Sequence, residues 1–208
     1  MHANEKKYLC GPLHERRKRD YLAGRYAAKL TVARFLNESD LCSIEIRQGV
    51  FHQPIVRHAS CETPEVTISH CKDLAVAISY PAGHYMGVDV ECVDVTKKDL
   101  YISQMTKKEM AMDSCLAVPI DLVPNIIWTI KEAISKTIKV GFTTSSSMLE
   151  ISTLKRLPDG SFVALFKNLA QYKCHAWVIR KWILSIALPK NSELRFCPSL
   201  VDPIFSMI

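Results

Sequence analysis

The sequence shows no cysteine framework and no membrane-spanning run, and we expect no signal peptide. Its 208 residues include eight cysteines, yet no two of them form a C-x-x-C pair and no Cys/His group has zinc-finger spacing. The N-terminal segment, MHANEKKYL, is charged and has no apolar core, so we expect a cytoplasmic protein with free thiols. The longest apolar stretch, residues 176–188, is interrupted by Arg180 and Lys181 and is too short to span a bilayer. We therefore expect no membrane partner.

The chain does carry an excess of positive charge. Lysine and arginine number 27 and aspartate and glutamate number 21, which gives a formal net charge of +6. Such an excess favours anionic partners, namely phosphates, nucleic acid or an acidic protein, without choosing among them. The length suffices for one domain or two small ones, and the hydrophobic share of 48% is ordinary for a globular protein.

Two long helical patterns each precede a group of short strands. Apolar residues recur at helical spacing over residues 15–36 and 126–140, and Gly141 is a natural residue to follow the second helix. Residues 96–114 predict a surface helix with loops. Strand patterns occupy residues 43–47, 66–69, 74–80, 148–154, 161–167 and 175–188. We therefore predict an α+β fold of two similar halves, residues 1–95 and 96–208, each a long helix packed on a three-strand antiparallel meander.

The first predicted helix has an apolar stripe and a basic face. The stripe, which we expect to face the core, consists of Leu22, Tyr26, Leu30 and Ala33. The basic face is either solvated or binds an anion, and it carries Lys18, Arg25 and Lys29. Gly24 costs about 1 kcal/mol in a helix interior, which indicates that another backbone or a ligand comes close at this position.

The stretch GVDVE, residues 87–91, places two acids on one side of a predicted strand. Because side chains alternate along a strand, Asp89 and Glu91 point one way and Val88 and Val90 the other. The two carboxylates lie about 6.7 Å apart and repel each other by roughly 2.5 kcal/mol at an effective dielectric constant near 20. A divalent ion such as Mg²⁺ would turn this repulsion into a binding site. The alternative is a half-solvated strand whose polar face happens to be acidic.

A third acid, a lysine and a histidine are further candidates. Glu132 lies on the second predicted helix, away from its isoleucine stripe, and Lys136 lies one turn later. Three carboxylates and a lysine suit phosphoryl transfer, because a metal can bind phosphate oxygens while the lysine neutralises developing charge. The alternative is an ordinary exposed Glu–Lys pair. Ser69 and His70, at the end of a strand, either bind a phosphate or make structural hydrogen bonds.

Four stretches together resemble a known family. They are RRKRDYLAGRYAAKLTVARFL (16–36), VTISHCKDLAVAIS (66–79), GVDVE (87–91) and WTIKEAISK (128–136). In this order and spacing the chain resembles the 4′-phosphopantetheinyl transferases, in the monomeric, surfactin-synthetase-activating type with the W/KEA pattern. The resemblance covers roughly residues 16–142. It implies two α/β subdomains related by a pseudo-twofold axis, with the active site at their interface.

The resemblance also implies a reaction and a set of site residues. The reaction transfers the 4′-phosphopantetheine arm of coenzyme A, the co-substrate, to a serine of an apo acyl or peptidyl carrier protein and releases 3′,5′-ADP. The implied ligands of Mg²⁺, or of Mn²⁺ in its place, are Asp89, Glu91 and Glu132. Glu132 would draw the proton from the carrier serine, and Lys136 would neutralise charge on the departing nucleotide. The implied ligands of the 3′-phosphate are Arg25, Ser69 and His70.

The chain departs from the family at one phosphate contact. Where the family often has Gly-Lys-Pro, this chain has His52-Gln53-Pro54, so Gln53 stands in the place of a phosphate-binding lysine. The acids and Lys136 are present, and we expect an active monomeric enzyme whose partner is an acidic carrier protein.

Two rival functions are a metal-dependent nuclease or phosphodiesterase, and a non-catalytic basic module that binds an acidic protein. Such nucleases usually place the last acid and the lysine two residues apart on a strand. Here Glu132 and Lys136 lie four residues apart on a predicted helix. We therefore expect no nucleic-acid partner, and turnover separates the transferase from the binding module.

Overall fold

The computed structural model of the chain describes residues 1–50, 52–60, 62–112, 116–140 and 144–196. Over these residues the fold is α+β, with five α-helices and antiparallel sheets. The chain divides into two compact units, Met1–Tyr85 and Met86–Ile208, whereas the predicted halves meet later in the sequence, at residue 95. No helix in the described part of the chain is long and apolar enough to cross a membrane.

The elements are numbered along the chain. The α-helices are α1 (Ala3–Leu9), α2 (Glu15–Leu36), α3 (Lys98–Ser103), α4 (Lys107–Met110) and α5 (Val123–Thr137). The strands of the first unit are β1 (Glu45–Gln48), β2 (Pro54–Arg57), β3 (Glu65–Cys71) and β4 (Leu74–Tyr80). The strands of the second unit are β5 (Gly87–Cys92), β6 (Ile151–Arg156), β7 (Phe162–Phe166), β8 (Tyr172–Ile179) and β9 (Trp182–Pro189).

In the first unit, two hairpins pack against α2. Strand β1 pairs with β2 and β3 pairs with β4, in both cases antiparallel, and α2 contacts strands of both hairpins. The predicted bounds of α2 are confirmed, and Asn37 ends the helix in the left-handed conformation, at a φ of 53°. The core between helix and hairpins consists of Ala28, Val32, Ala33, Ile44, Ile46, Val56 and Val66.

The predicted apolar stripe of α2 is mostly wrong. Leu22 is 39% exposed, Tyr26 60% and Leu30 43%, and of the predicted stripe only Ala33 is buried. The helix turns its small residues to the strands because they allow close packing: a Cβ on Gly24 would lie 3.3 Å from Cγ2 of Ile68. The close approach predicted from Gly24 is therefore made by a neighbouring strand.

The helical spacing placed Lys29 on a basic face of α2 that was expected to be either solvated or bound to an anion, but Lys29 is buried. It is 3% exposed, and its Nζ lies 2.8 Å from Oε2 of Glu5 on α1. The same ammonium donates to the carbonyl of Leu41, and Oε1 of Glu5 accepts from the backbone N–H of Ile46. This buried ion pair holds α1 to α2 and β1, because each partner would otherwise be a desolvated charge.

In the second unit, five strands form one antiparallel sheet in the order β5-β9-β8-β7-β6. The pairing of β5 with β9 runs from Gly87 opposite Ala187 to Cys92 opposite Trp182. Helix α5 packs on β5, β9 and β8. The position of α5 confirms the predicted helix, although it begins and ends slightly earlier, and Gly141 lies outside the described residues.

The predicted three-strand meanders are wrong in both halves. The two hairpins of the first unit form separate two-stranded sheets. The stretch GVDVE, expected at the end of the first half, belongs to the second unit because its backbone hydrogen bonds go to β9. The single strand predicted over residues 175–188 is two strands, β8 and β9, because Arg180 turns the chain at a φ of 55°.

A second buried ion pair lies inside the second unit, where a surface helix was predicted. Glu109 on α4 and Lys131 on α5 are both 0% exposed, and Nζ lies 2.7 Å from Oε2. Lys131 also donates to the carbonyl of Gln104 and to Oγ of Ser146, and Glu109 Oε1 accepts from the backbone N–H of Ile151. The pair thus connects α4, α5 and β6.

The substitution Lys131→Met should strongly destabilise the chain. It leaves the carboxylate of Glu109 in the interior without its cation, so we expect the free energy of unfolding to fall by about 3–5 kcal/mol. The control is Lys167→Met, which breaks a pair with Glu150 (3.2 Å) whose lysine side chain is 60% exposed, and which should cost less than about 1 kcal/mol. Denaturant unfolding measures both. Equal losses for the two variants would contradict the structural role of Lys131.

Candidate functional site

Gly87 allows strand β5 to lie directly against helix α5. A Cβ at this position would come 2.1 Å from the carbonyl oxygen of Ala133 and 2.5 Å from Oγ1 of Thr137, so there is no room for a side chain. Gly87, Asp89 and Glu91 share one face of the strand, because side chains alternate. The acidic face of β5 is therefore the face turned to α5.

Asp89 and Lys136 meet across this contact. Asp89 is 2% exposed, and its Oδ1 accepts a hydrogen bond of 2.7 Å from Nζ of Lys136 on α5. The two residues come from motifs that lie far apart in the sequence, and neither motif by itself shows that they touch. The structure thus joins the GVDVE stretch and the KEA stretch at one point.

Glu132 lies one helical turn before Lys136 and belongs to the same group of charges. Burial and the neighbouring carboxylate of Asp89 raise the pKa of Glu132 from 4.5 to about 8, with a smaller contribution from Glu91 and against the opposite effect of Lys136. We call these four residues the acidic cluster (Asp89, Glu91, Glu132 and Lys136). Its carboxylates therefore outweigh its one cation, Lys136.

The chemistry of the acidic cluster suits a hard divalent cation. Its three carboxylates are the oxygen donors that Mg²⁺ accepts, and burial together with the neighbouring carboxylates raises the pKa of Glu132. Over the ranges that the structure describes, no three His, Cys, Asp or Glu side chains are grouped closely enough to hold an ion. Asp89 has Lys136 as its neighbour instead.

Ser185 also belongs to this region, although no motif in the sequence selects it. It lies directly opposite Asp89 in the β5–β9 ladder and is 0% exposed. No group among the described residues makes a hydrogen bond with its Oγ. A serine in an otherwise apolar strand carries no signal until the partner strand is known.

The first unit holds a second candidate site, a cavity of about 230 Å³ that we call the basic cavity. Its lining residues are Tyr8, Arg17, Asp20, Tyr21, Gly24, Arg25, Gln48, His52, Pro54, Ile68 and His70. Two arginines and two histidines against one aspartate make its lining predominantly basic. Arg17, Gln48 and His52 were not predicted, because only the fold brings α2 and the β1–β2 turn together.

Two of the three predicted phosphate ligands line the basic cavity and one does not. Arg25 and His70 line it, and Nε2 of His70 lies 3.9 Å from Oδ2 of Asp20. Ser69 is 5% exposed and does not line it, because neighbouring residues of β3 point to opposite faces. Gln53, the departure from the family pattern, does not line it either, whereas its neighbour His52 does.

Gly87→Ala should separate β5 from α5. The new methyl group would overlap the carbonyl of Ala133, so we expect a loss of about 1–3 kcal/mol in the free energy of unfolding, as for other overpacked sites. The control is Gly11→Ala, whose Cβ would lie an ordinary 3.5 Å from the carbonyl oxygen of Tyr8. Denaturant unfolding compares the two. A Gly87→Ala protein as stable as Gly11→Ala would contradict the tight contact.

Glu132→Gln should remove part of the pH dependence of stability in metal-free buffer. A group whose pKa is raised on folding stabilises the fold at low pH and loses this effect as the pH rises through the folded value. Between pH 4.5 and about 8, we therefore expect Glu132 to lower the free energy of unfolding of the wild type by up to about 1.4 kcal/mol per pH unit.

Denaturant unfolding at several pH values across this window measures the difference between wild type and Glu132→Gln. The control is Asp121→Asn, which removes a carboxylate whose side chain is 56% exposed. Parallel stability curves for wild type and Glu132→Gln would show that Glu132 is not held in the repulsive environment described.

Comparison with known proteins does not identify a family for this chain. The chain matches no protein-family model, and no curated protein matches it. Its function is therefore inferred from its own residues, above all from the acidic cluster and the basic cavity.

Proposed function

We propose that the chain is a Mg²⁺-dependent 4′-phosphopantetheinyl transferase that modifies a serine of an apo carrier protein. The observation that carries the proposal is the 2.7 Å contact between Asp89 of the GVDVE stretch and Lys136 of the KEA stretch. If the two stretches were chance matches, nothing would require them to meet. Their contact is what a shared site for phosphoryl transfer needs, with carboxylates and a lysine at one point.

The acidic cluster supplies the residues for the chemical step. In the proposal, Asp89, Glu91 and Glu132 would hold Mg²⁺, with Mn²⁺ as a substitute, and the ion would supply positive charge for the pyrophosphate of coenzyme A. Glu132 takes the proton of the carrier serine, directly or through a water. The serine oxygen then bonds to the phosphorus that bears the pantetheine arm, and the bond from that phosphorus to 3′,5′-ADP breaks.

Lys136 has the second role in this step. Its ammonium is already beside the buried carboxylate of Asp89, so it lies where negative charge gathers. In the proposal it neutralises the charge that develops on the leaving 3′,5′-ADP and helps to bind the nucleotide. A lysine suits this task because its ammonium is a compact point charge on a flexible stem.

The basic cavity supplies the residues for the other end of coenzyme A. Arg25 and His70 line it and are assigned to the 3′-phosphate. Ser69, on the other face of β3, is left out of this assignment. The net charge of +6 favours an acidic carrier protein as the second substrate.

The placement of Glu132 and Lys136 also bears on the rival functions. Both residues lie on helix α5, one turn apart, rather than two residues apart on a strand as in the nuclease pattern. A purely binding module has no need for carboxylates that repel one another beside a lysine. We therefore favour the transferase over the nuclease and the binding module.

Intact mass tests the proposed function. The protein is incubated with coenzyme A, Mg²⁺ and a panel of apo carrier proteins, with and without a chelator. We expect a carrier to gain about 340 Da, the mass of one phosphopantetheine group, only when the metal is present, because the carboxylates need a cation before they can bind a pyrophosphate.

Variants connect this reaction to the acidic cluster. Asp89→Asn and Glu132→Gln should each lower the transfer rate at least about 100-fold, whereas the exposed control Asp121→Asn should not change it. Near wild-type transfer by either cluster variant would contradict the assignment. No gain of mass on any carrier, in a folded sample that binds coenzyme A, would mean either that the partner is a carrier outside the panel or that the chain binds coenzyme A without transferring its arm.

A further inference from the structure

Two tyrosine rings form part of the wall of the basic cavity. Tyr8 on α1 and Tyr21 on α2 are stacked, with ring centroids 4.4 Å apart and planes inclined by 27°. The guanidinium carbon of Arg25 lies over the ring of Tyr21, 4.7 Å from its centroid. These three side chains, which we call the aromatic wall (Tyr8, Tyr21 and Arg25), thus combine flat apolar faces with a cation.

The aromatic wall separates two neighbouring spaces. A second cavity of about 230 Å³ adjoins the basic cavity, and all three side chains of the wall line both. Tyr8 is the most accessible tyrosine of the wall, with 38% of its surface exposed. A ligand in the basic cavity would therefore meet an aromatic face as well as positive charge, whereas the second cavity is also lined by the carboxylates of Glu5 and Glu45.

The position of Tyr8 is fixed by the fold. Helix α1 is held by the buried pair of Glu5 and Lys29 and by the hydrogen bond from the N–H of Ile46 to Glu5. The ring of Tyr8 itself remains partly exposed, so its removal does not open the core. This combination, a fixed backbone and an accessible ring, is what a stacking platform requires.

Arg25 gives the wall a preference for anions. Its Nε is buried, and no group among the described residues accepts a hydrogen bond from it. A buried donor without an acceptor is costly, and a phosphate oxygen in the basic cavity would relieve that cost. Rings beside an arginine that has an unused donor match a ligand with both a flat base and a phosphate, that is, a nucleotide.

We propose that Tyr8, on the N-terminal helix, is the residue on which the adenine of the nucleotide stacks while Arg25 and His70 bind its 3′-phosphate. This inference rests on the proposed function, because it takes the nucleotide to be the 3′,5′-ADP part of coenzyme A. It gives α1 a direct role in ligand binding. The residues that carried the family resemblance do not include this helix.

Two ligands that differ only in the base test the inference. One is 3′,5′-ADP and the other is ribose 3,5-bisphosphate, which has the same sugar and phosphates but no adenine. Calorimetric titration of wild type, Tyr8→Leu and Tyr8→Phe measures the affinity for each. Tyr26→Leu is the matched control, because Tyr26 is an exposed tyrosine of α2 that lines neither cavity.

We expect Tyr8→Leu to lower the affinity for 3′,5′-ADP about tenfold, the usual effect of losing one base–aromatic stack. The affinity for ribose 3,5-bisphosphate should not change. Tyr8→Phe keeps the ring and should bind both ligands as the wild type does. Tyr26→Leu should change neither affinity.

Other outcomes overturn the inference. If Tyr8→Leu binds 3′,5′-ADP as tightly as the wild type does, Tyr8 does not contact the base. The proposed function still holds in that case when the wild type transfers phosphopantetheine. If Tyr8→Leu weakens both ligands equally, Tyr8 supports the cavity without stacking. If the wild type binds neither ligand and transfers nothing, the inference and the proposed function are both wrong.

Discussion

The close contact of strand β5 with helix α5 is the constraint on which the candidate site depends. Gly87 permits it, because a Cβ there would lie 2.1 Å from the carbonyl oxygen of Ala133. Two residues further along β5, the same contact brings Asp89 to Lys136. A wider separation would let water between the carboxylates and the helix, so the burial and the Asp89 repulsion that raise the pKa of Glu132 would both weaken. Gly87, at the start of GVDVE, thus allows the close approach of β5 to α5 on which the position of Asp89 beside Lys136 depends.

Helical phase explains why two lysines of α5 have different roles. Lys131 and Lys136 are five residues apart, which turns them about 140° from each other around the helix axis. Lys131 therefore faces the interior and pairs with Glu109, whereas Lys136 faces β5 and pairs with Asp89. Glu132 and Lys136, four residues apart, are only about 40° from each other. Within the KEA stretch, Lys131 thus stabilises the fold, whereas Glu132 belongs to the acidic cluster.

The sequence predicted the helices and strands better than it predicted the contacts between them. Helix α2 was predicted with its observed bounds, because its pattern is long and helical, but its buried face was not. Large apolar residues such as Leu22 and Tyr26 suggested a core stripe, whereas close packing favoured the small residues on the other side. The pairing of β5 with β9 joins distant parts of the chain, and alternation within a strand carries no information on its partner. Ser69 does not line the basic cavity for a local reason, since its neighbour His70 occupies the face of β3 that does.

The two candidate sites have complementary electrostatic requirements. In the first unit, the buried Nε of Arg25 has no acceptor among the described residues, so the basic cavity is stabilised by an anion. In the second, burial and the carboxylate of Asp89 raise the pKa of Glu132, so the acidic cluster is stabilised by a cation or a proton. An anion such as a phosphate satisfies the first requirement, and a divalent cation such as Mg²⁺ satisfies the second. An acidic protein that binds without a metal would leave the carboxylates of the acidic cluster as they are.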